Sequence, residues 1–269
     1  MARACIFCGS ETDLNREDLW PKWLVKVVVQ DRPSEIERTI GSEDSPNVYR
    51  GKWLKGRGVC APCNSGWMSN LEVSVKPILE PVIFDSPSSL DYVQQSGIAI
   101  WTLKTAMVFE CLKGAANVDA MPDEVFYSAA DRQHLTQWST PPPDSFVWLG
   151  RYEPEFSLWA QNDRLSNPQP QGYLDEASAT TFAMGRCVIQ TLTVRRSPRT
   201  KNDLQTRPIR HGESMWNDAL IQIWPVHNDF VHWPPPRVVR GLDSLDQLAR
   251  RFGRRRSAEQ AAGGNECTD

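Results

Sequence analysis

Two stretches, CIFCG (5–9) and CAPCNSGWMSNLE (60–72), decide the reading of the first third of this chain. Each holds a CxxC pair, and a CxxC turn points two thiolates at one place. Two such turns supply the four soft ligands that a tetrahedral zinc ion takes. A lone CxxC reads equally well as a redox pair, and four unrelated buried cysteines are a further reading. Two pairs, the second opening a helix, favour zinc held by Cys5, Cys8, Cys60 and Cys63. Four thiolates leave no open coordination position, so this zinc is structural. Fifty-one residues separate Cys8 from Cys60, so something must fold between the knuckles. Metal binding of this kind is worth about 10–16 kcal/mol in zinc peptides, which offsets the ordering entropy of a module too small to stand on its own core. Cys111, Cys187 and Cys267 stand alone, and an odd total with two CxxC pairs favours metal over a disulfide framework.

Working outward, Trp67, Leu71 and Val75 fall at i, i+4, i+8 and share one helix face. Pro77 and Pro81 are expected to stop that helix or kink its end. WPKWLVKVVV (20–29) is ordered but ambiguous between helix and strand. The polar stretch 31–47 carries the breakers Pro33, Gly41 and Pro46. Beyond residue 90, QQSGIAIWTLKTAMVFECLK (94–113) reads as a helix apolar nearly all round, ended by Gly114. A second helix is expected at 122–138, closed by the prolines at 141–143. Strand character follows at 146–152, 156–161, 182–196 and 218–226, which suggests a mostly antiparallel sheet. A short helix is expected at 244–252. The fold class is therefore α+β: a zinc module at 1–80, a mixed helix and antiparallel-sheet domain at 81–255, and a disordered tail at 256–269.

Between the knuckles stands EDLWPKWL (17–24), and Asn64 follows Cys63 directly. CxxC, an acidic residue with a proline four positions on, and then CxxCN together resemble the HNH, or ββα-metal, treble-clef endonucleases. The zinc-bearing branch that includes phage endonuclease VII is the nearest pattern, and the resemblance covers about 75 residues. It implies a β-hairpin clamped against a helix, with Glu17 and Asn64 as ligands of a catalytic Mg²⁺ or Mn²⁺ and DNA as the substrate. One carboxylate, one amide and several waters suit such an ion, which would polarise the phosphoryl group. The family's general-base His is replaced here by Asp18, and His134, His211, His227 and His232 all lie outside the zinc module. A carboxylate is a weaker base than imidazole by roughly two to three pKa units, and loss of a tuned base commonly costs about 10²–10⁴ in rate. Other readings of these residues stay open. Asp18 would also serve as the N-cap of a helix starting at Leu19, Glu17 as a solvated acid, and Asn64 as a brace for the knuckle backbone.

Arg50, Lys52, Lys55 and Arg57 crowd around Trp53 without an intervening acid, where a hairpin nuclease would contact phosphates. The whole chain carries a formal net charge of −3, so any nucleic-acid contact is local rather than general. Eleven tryptophans spread along the sequence imply a packed fold with indole N–H groups seeking partners. No apolar run reaches the roughly 18–20 residues of a membrane span, and MARACIFCGS lacks a signal peptide's apolar region, so the expected setting is cytoplasmic. These features point to an HNH-type metal-dependent DNA endonuclease, slowed by Asp18. The alternative is a non-catalytic, zinc-dependent nucleic-acid-binding or protein-interaction protein.

Overall fold

The computed structural model describes residues 4–28, 37–40, 47–50, 55–111, 125–155, 157–168, 174–195 and 219–252, with backbone alone from 37 to 57. The expected tail 256–269, Lys52, Trp53, His211 and Cys267 lie outside the described residues.

Strand β1 (Leu14–Asp18) runs antiparallel to β4 (Lys55–Cys60), with Leu14 opposite Cys60 and Asp18 opposite Lys55. The ambiguous run after β1 is helix α1 (Lys22–Val28), which buries Leu24 and Val25. Pro21 stands just ahead of it, where a missing N–H costs nothing, and its carbonyl accepts the Val25 N–H at 3.1 Å. Asp18 therefore ends a strand and does not cap this helix. The breaker-rich stretch between knuckles holds a hairpin that its polarity concealed: β2 (Glu37–Ile40) and β3 (Asn47–Arg50).

After β4 the chain makes a single helical turn, α2 (Ala61–Cys63), then a π-helical segment Asn64–Met68, then α3 (Ser69–Ile83). Pro77 and Pro81 sit inside α3 and neither stops it. The hydrogen bonds they forfeit fall near exposed Val73 and Pro77, while Val75, Leu79, Val82 and Ile83 on the other side are buried. Tertiary packing outweighs the local cost of proline there.

Strand β5 (Ser88–Asp91) leads into α4 (Tyr92–Glu110) through a capping box, with Gln94 N–H on Asp91 Oδ1 at 2.8 Å and Asp91 N–H on Gln94 Oε1 at 3.0 Å. As its composition demands, α4 is buried nearly all round, with Trp101, Leu103, Ala106 and Met107 wholly inaccessible. It ends at Cys111, three residues before Gly114. α5 (Ala129–Gln137) is shorter than expected because Ser128 caps it, with Asp131 closing a second capping box.

The remaining strands are β6 (Ser145–Glu153), β7 (Leu158–Pro168), β8 (Leu174–Met184), β9 (Cys187–Arg195), β10 (Leu220–Trp224), β11 (Phe230–Trp233) and β12 (Val238–Arg240), followed by α6 (Gly241–Ala249). The main sheet runs β10-β6-β9-β8-β7-β2-β3, with β12 parallel to β6, and β11 pairs separately with β5. The expected strand at 182–196 is in fact a hairpin turned at Gly185-Arg186. Gly185 has φ +54, and a Cβ there would lie 2.8 Å from Ile83 Cγ2, so the turn seats against the end of α3 as only glycine allows. The arrangement is α+β, with helices and mainly antiparallel strands. Among the described residues no helix is long and apolar enough to cross a membrane.

Both faces of the sheet are covered. Val147, Leu149, Phe182 and Ile189 face α3 and α4, while Trp148, Tyr152 and Leu192 share a second cluster with Leu245 and Leu248 of α6. The first cluster does not stop at residue 80, since Phe7, Leu19, Trp20, Leu24 and Met68 belong to it. Trp20 meets Phe182 edge-on, with ring centroids 5.4 Å apart. Among the described residues, the buried indole N–H groups of Trp20, Trp23, Trp67, Trp101 and Trp233 have no hydrogen-bond partner, contrary to the expectation for tryptophan. Their apolar burial outweighs the unmade bonds. Trp20→Ala is expected to cost about 3–5 kcal/mol in urea unfolding, whereas Val93→Ala, 74% exposed, should change stability by under about 0.5 kcal/mol.

Candidate metal centre and adjoining cleft

The first knuckle turns at Gly9, whose φ of +75 suits glycine. Gly9 N–H closes on the Cys5 carbonyl at 2.8 Å, and Cys5 N–H on the Ser10 carbonyl at 2.7 Å. Ile6 N–H bonds the Gly58 carbonyl at 2.7 Å, which docks this knuckle beside β4. Cys60 ends β4, and Pro62 in the first turn of α2 carries the chain round to Cys63. Ala61 N–H reaches the Asp13 carbonyl at 2.8 Å, so the second knuckle is tied to the start of β1.

These contacts bring the sulfurs of Cys5, Cys8, Cys60 and Cys63 within 4.8 Å of one another. Cys8 and Cys60 sulfurs are 3.5 Å apart, well beyond the ~2.05 Å of a disulfide. Thiolates 2.3 Å from a tetrahedral zinc stand about 3.8 Å apart, so the four residues fit one ion. Cys5, Cys60 and Cys63 are buried and Cys8 is exposed. Burial pushes the Cys60 and Cys63 thiols up. Burial also raises Cys5, but hydrogen bonds from the backbone N–H groups of Cys60, Cys8 and Phe7 outweigh it and bring that thiol down to about 7. One sulfur is thus poised as thiolate, and a divalent ion's charge would ionise the others.

Asn64 opens the π-helical segment and lines an open polar cleft of about 240 Å³ with Asn15, Ala61, Ser65, Ser69 and Glu72. A kink at Gly66 within this segment accounts for how these side chains come together. In an α-helix, residues five apart point about 140° away from each other. Here Ser69 N–H bonds the carbonyls of Asn64 and Gly66 across that kink, and Asn64, Ser69 and Glu72 line the same cleft. Gly66 sits at the interruption, with ψ of −112.

Glu72 also holds Lys104, whose Nζ lies 3.0 Å from Glu72 Oε1. Lys104 is 2% exposed on the otherwise apolar face of α4 and lies 5.7 Å from the centroid of Trp101. Sequence reasoning passed over this pair. The available signal was a single cation in the middle of a helix with no other charged residue before Glu110.

Glu17 stands on β1 opposite Gly56 and is 9% exposed, and Asp18 is half-buried at the strand's end. The strand places both two to three residues beyond Asn15. Asn64 lines the cleft, whereas Glu17 and Asp18 are not part of its lining. Of the basic cluster, Arg50 ends β3, Lys55 and Arg57 lie on β4, and only their backbone is described. His134, His227 and His232 all belong to the region beyond residue 80.

No protein-family model matches this chain, and no curated protein or solved structure matches it either.

The buried ion pair generates an asymmetric expectation. Glu72→Ala leaves Lys104 charged and enclosed and should cost about 3–5 kcal/mol, while Lys104→Met, which leaves only a partly exposed acid, should cost clearly less. Chemical denaturation of both variants checks the order.

Proposed function

We propose that the chain is a zinc-stabilised, HNH-type metal-dependent endonuclease acting on DNA, with Asp18 in place of the family's base. The carrying observation is the convergence of four cysteine sulfurs on a β1–β4 pair and the helix that follows, with Asn64 beside that centre in a polar cleft. The ion at the cysteines is zinc and serves the fold. A catalytic Mg²⁺ or Mn²⁺ would take Glu17 and Asn64 as protein ligands. Asp18 would orient or weakly activate water, so turnover is slow. Arg50, Lys52, Lys55 and Arg57 supply phosphate contacts from the strand pair and the link between β3 and β4.

A second reading has its own support. Glu17 is buried and lies apart from the lining of the cleft that holds Asn64. This favours a protein that keeps the nucleic-acid-binding frame without the chemistry.

Nicking of supercoiled plasmid in Mn²⁺ separates the two. Wild type should nick slowly, Glu17→Ala should not nick, and Asp18→His should be faster by about 10²-fold or more. Failure of all three, with salt-sensitive DNA binding retained, leaves the binding reading in place. Elemental analysis should find one zinc per chain in the wild type. Cys60→Ser should lose that zinc and unfold the N-terminal module.

A further inference from the structure

Oxygen-bearing side chains make up almost the whole lining of the cleft beside the second knuckle. Asn15 comes from β1, and Asn64, Ser65, Ser69 and Glu72 come from the helical run after Cys63, with Ala61 the one apolar member among the described residues. Some of their hydrogen-bonding capacity is already used. The Ser65 hydroxyl donates to the Ala61 carbonyl at 2.7 Å, and Glu72 Oε1 accepts from Lys104 Nζ at 3.0 Å. Among the described residues the Asn15 and Asn64 amides and the Ser69 hydroxyl make no side-chain hydrogen bond. Three oxygen donors and the second carboxylate oxygen, Glu72 Oε2, are therefore left for a ligand or for water.

Charge decides what kind of ligand suits them. Glu72 is the charged member of the lining, and among the described residues no Lys or Arg joins it, since Lys104 stands behind the carboxylate at 2% exposure. Ala61 and Asn64 are the chain neighbours of Cys60 and Cys63, so the cleft adjoins the cysteine centre. With zinc in place, four thiolates outweigh the ion's own charge, and the centre is negative as a whole. Both fields repel phosphate and draw a cation. Among the described residues the lining also lacks an aromatic ring on which a base could stack.

Hard oxygen ligands set the identity of the cation. Mg²⁺ and Mn²⁺ take carboxylate, carbonyl and water oxygens, and Mg²⁺ keeps several waters while binding through one or two carboxylates. A cleft of about 240 Å³ has room for such a hydrated ion, at about 30 Å³ per water. Lys104 fixes one oxygen of Glu72 from inside the fold, so the carboxylate loses little freedom when an ion arrives. Its ammonium also offsets part of the carboxylate's charge. So few charged ligands place the site at the weak end of protein cation sites, with a dissociation constant of about 10⁻⁴–10⁻³ M.

We propose that this cleft is a divalent-cation site, holding Mg²⁺ or Mn²⁺ through Glu72 Oε2 and the Asn64 amide oxygen, with Asn15, Ser69 and water completing the shell. The proposal rests on the nuclease reading for the role of Asn64 and gives that ion a carboxylate from inside the cleft. Water on the ion's open side is what a phosphodiester oxygen would displace.

Electron paramagnetic resonance of Mn²⁺ added to the zinc-loaded full chain, without DNA, tests this through the loss of the free-ion signal. Wild type should bind one Mn²⁺ per chain, and Mg²⁺ should displace it. Glu72→Gln keeps an acceptor for Lys104 and should weaken binding by about tenfold or more, as should Asn64→Ala. Asn15→Asp adds a carboxylate at an exposed position of β1 and should tighten binding by about tenfold. Glu80→Gln, on α3 but not in the cleft lining, should change nothing. No binding through the millimolar range, or binding indifferent to both Glu72→Gln and Asn15→Asp, overturns the site. If Glu72→Gln does not fold, Asn15→Asp and Asn64→Ala decide. Binding lost in Glu17→Ala but kept in Glu72→Gln overturns the site and leaves the nuclease reading standing. Binding lost in Glu72→Gln, with no plasmid nicking by any variant, keeps the site and sinks the nuclease reading.

Discussion

Four sulfurs held within 4.8 Å impose a constraint that reaches well past the cysteines themselves. The first pair is a turn anchored by Gly9, and the second lies where β4 becomes a helix, so fixing the pairs together fixes the end of a strand, the start of a helix and the origin of β1. Everything between Cys8 and Cys60 then becomes a closed loop whose ends cannot separate. A metal ion there would supply order that so small a hairpin cannot derive from apolar burial alone. The direction in which α3 leaves the knuckle follows from the same anchoring, and α3 carries both the cleft residues and the face that packs on α4.

The parts of this architecture that were readable in the sequence are those governed by short-range rules. CxxC spacing foretold the cysteine cluster, and the composition of 94–113 foretold a helix buried nearly all round. The alternating and β-branched runs marked β6, β7, β9 and β10. The unread parts depended on distant partners. Nothing local in 37–40 announces a strand, because its register is set by parallel pairing with β7 at Arg38 opposite Ala160. Pro77 and Pro81 read as stops because the burial that overrides them comes from α4 and the β8–β9 turn. The small polar run 174–181 lacks bulk, yet it fills the middle of the sheet with Ala and Thr where α6 and α4 approach. At the candidate site, Asn64 was singled out from its place after Cys63, as a ligand of a catalytic metal, and the structure puts it in the lining of a polar cleft. Glu72 was not, since its significance rests on a lysine thirty-two residues away.

The π-helical segment and the buried ion pair belong together physically. The kink at Gly66 brings Asn64 and Ser69 to one cleft, and Glu72, on its lining, reaches Lys104 of α4. Lys104 then ties the carboxylate from behind, so the polar rim of the cleft is braced by the interior of the larger region. Charge buried in this way is stabilising only while both partners are present, which links the geometry of the cleft to the seating of α4.

The pairing of β2 with β7 has one more consequence, for how this chain can be divided. A strand that lies in sequence between the two knuckles forms part of the sheet built by residues 145–224, and Trp20 rests on Phe182. A fragment beginning after residue 80 would bare the β7 edge at Ala160 and Gln161, next to an aromatic surface that Trp20 no longer covers. Such an edge is a template for another chain. The C-terminal region taken alone would accordingly be a self-associating species rather than a smaller version of the same protein.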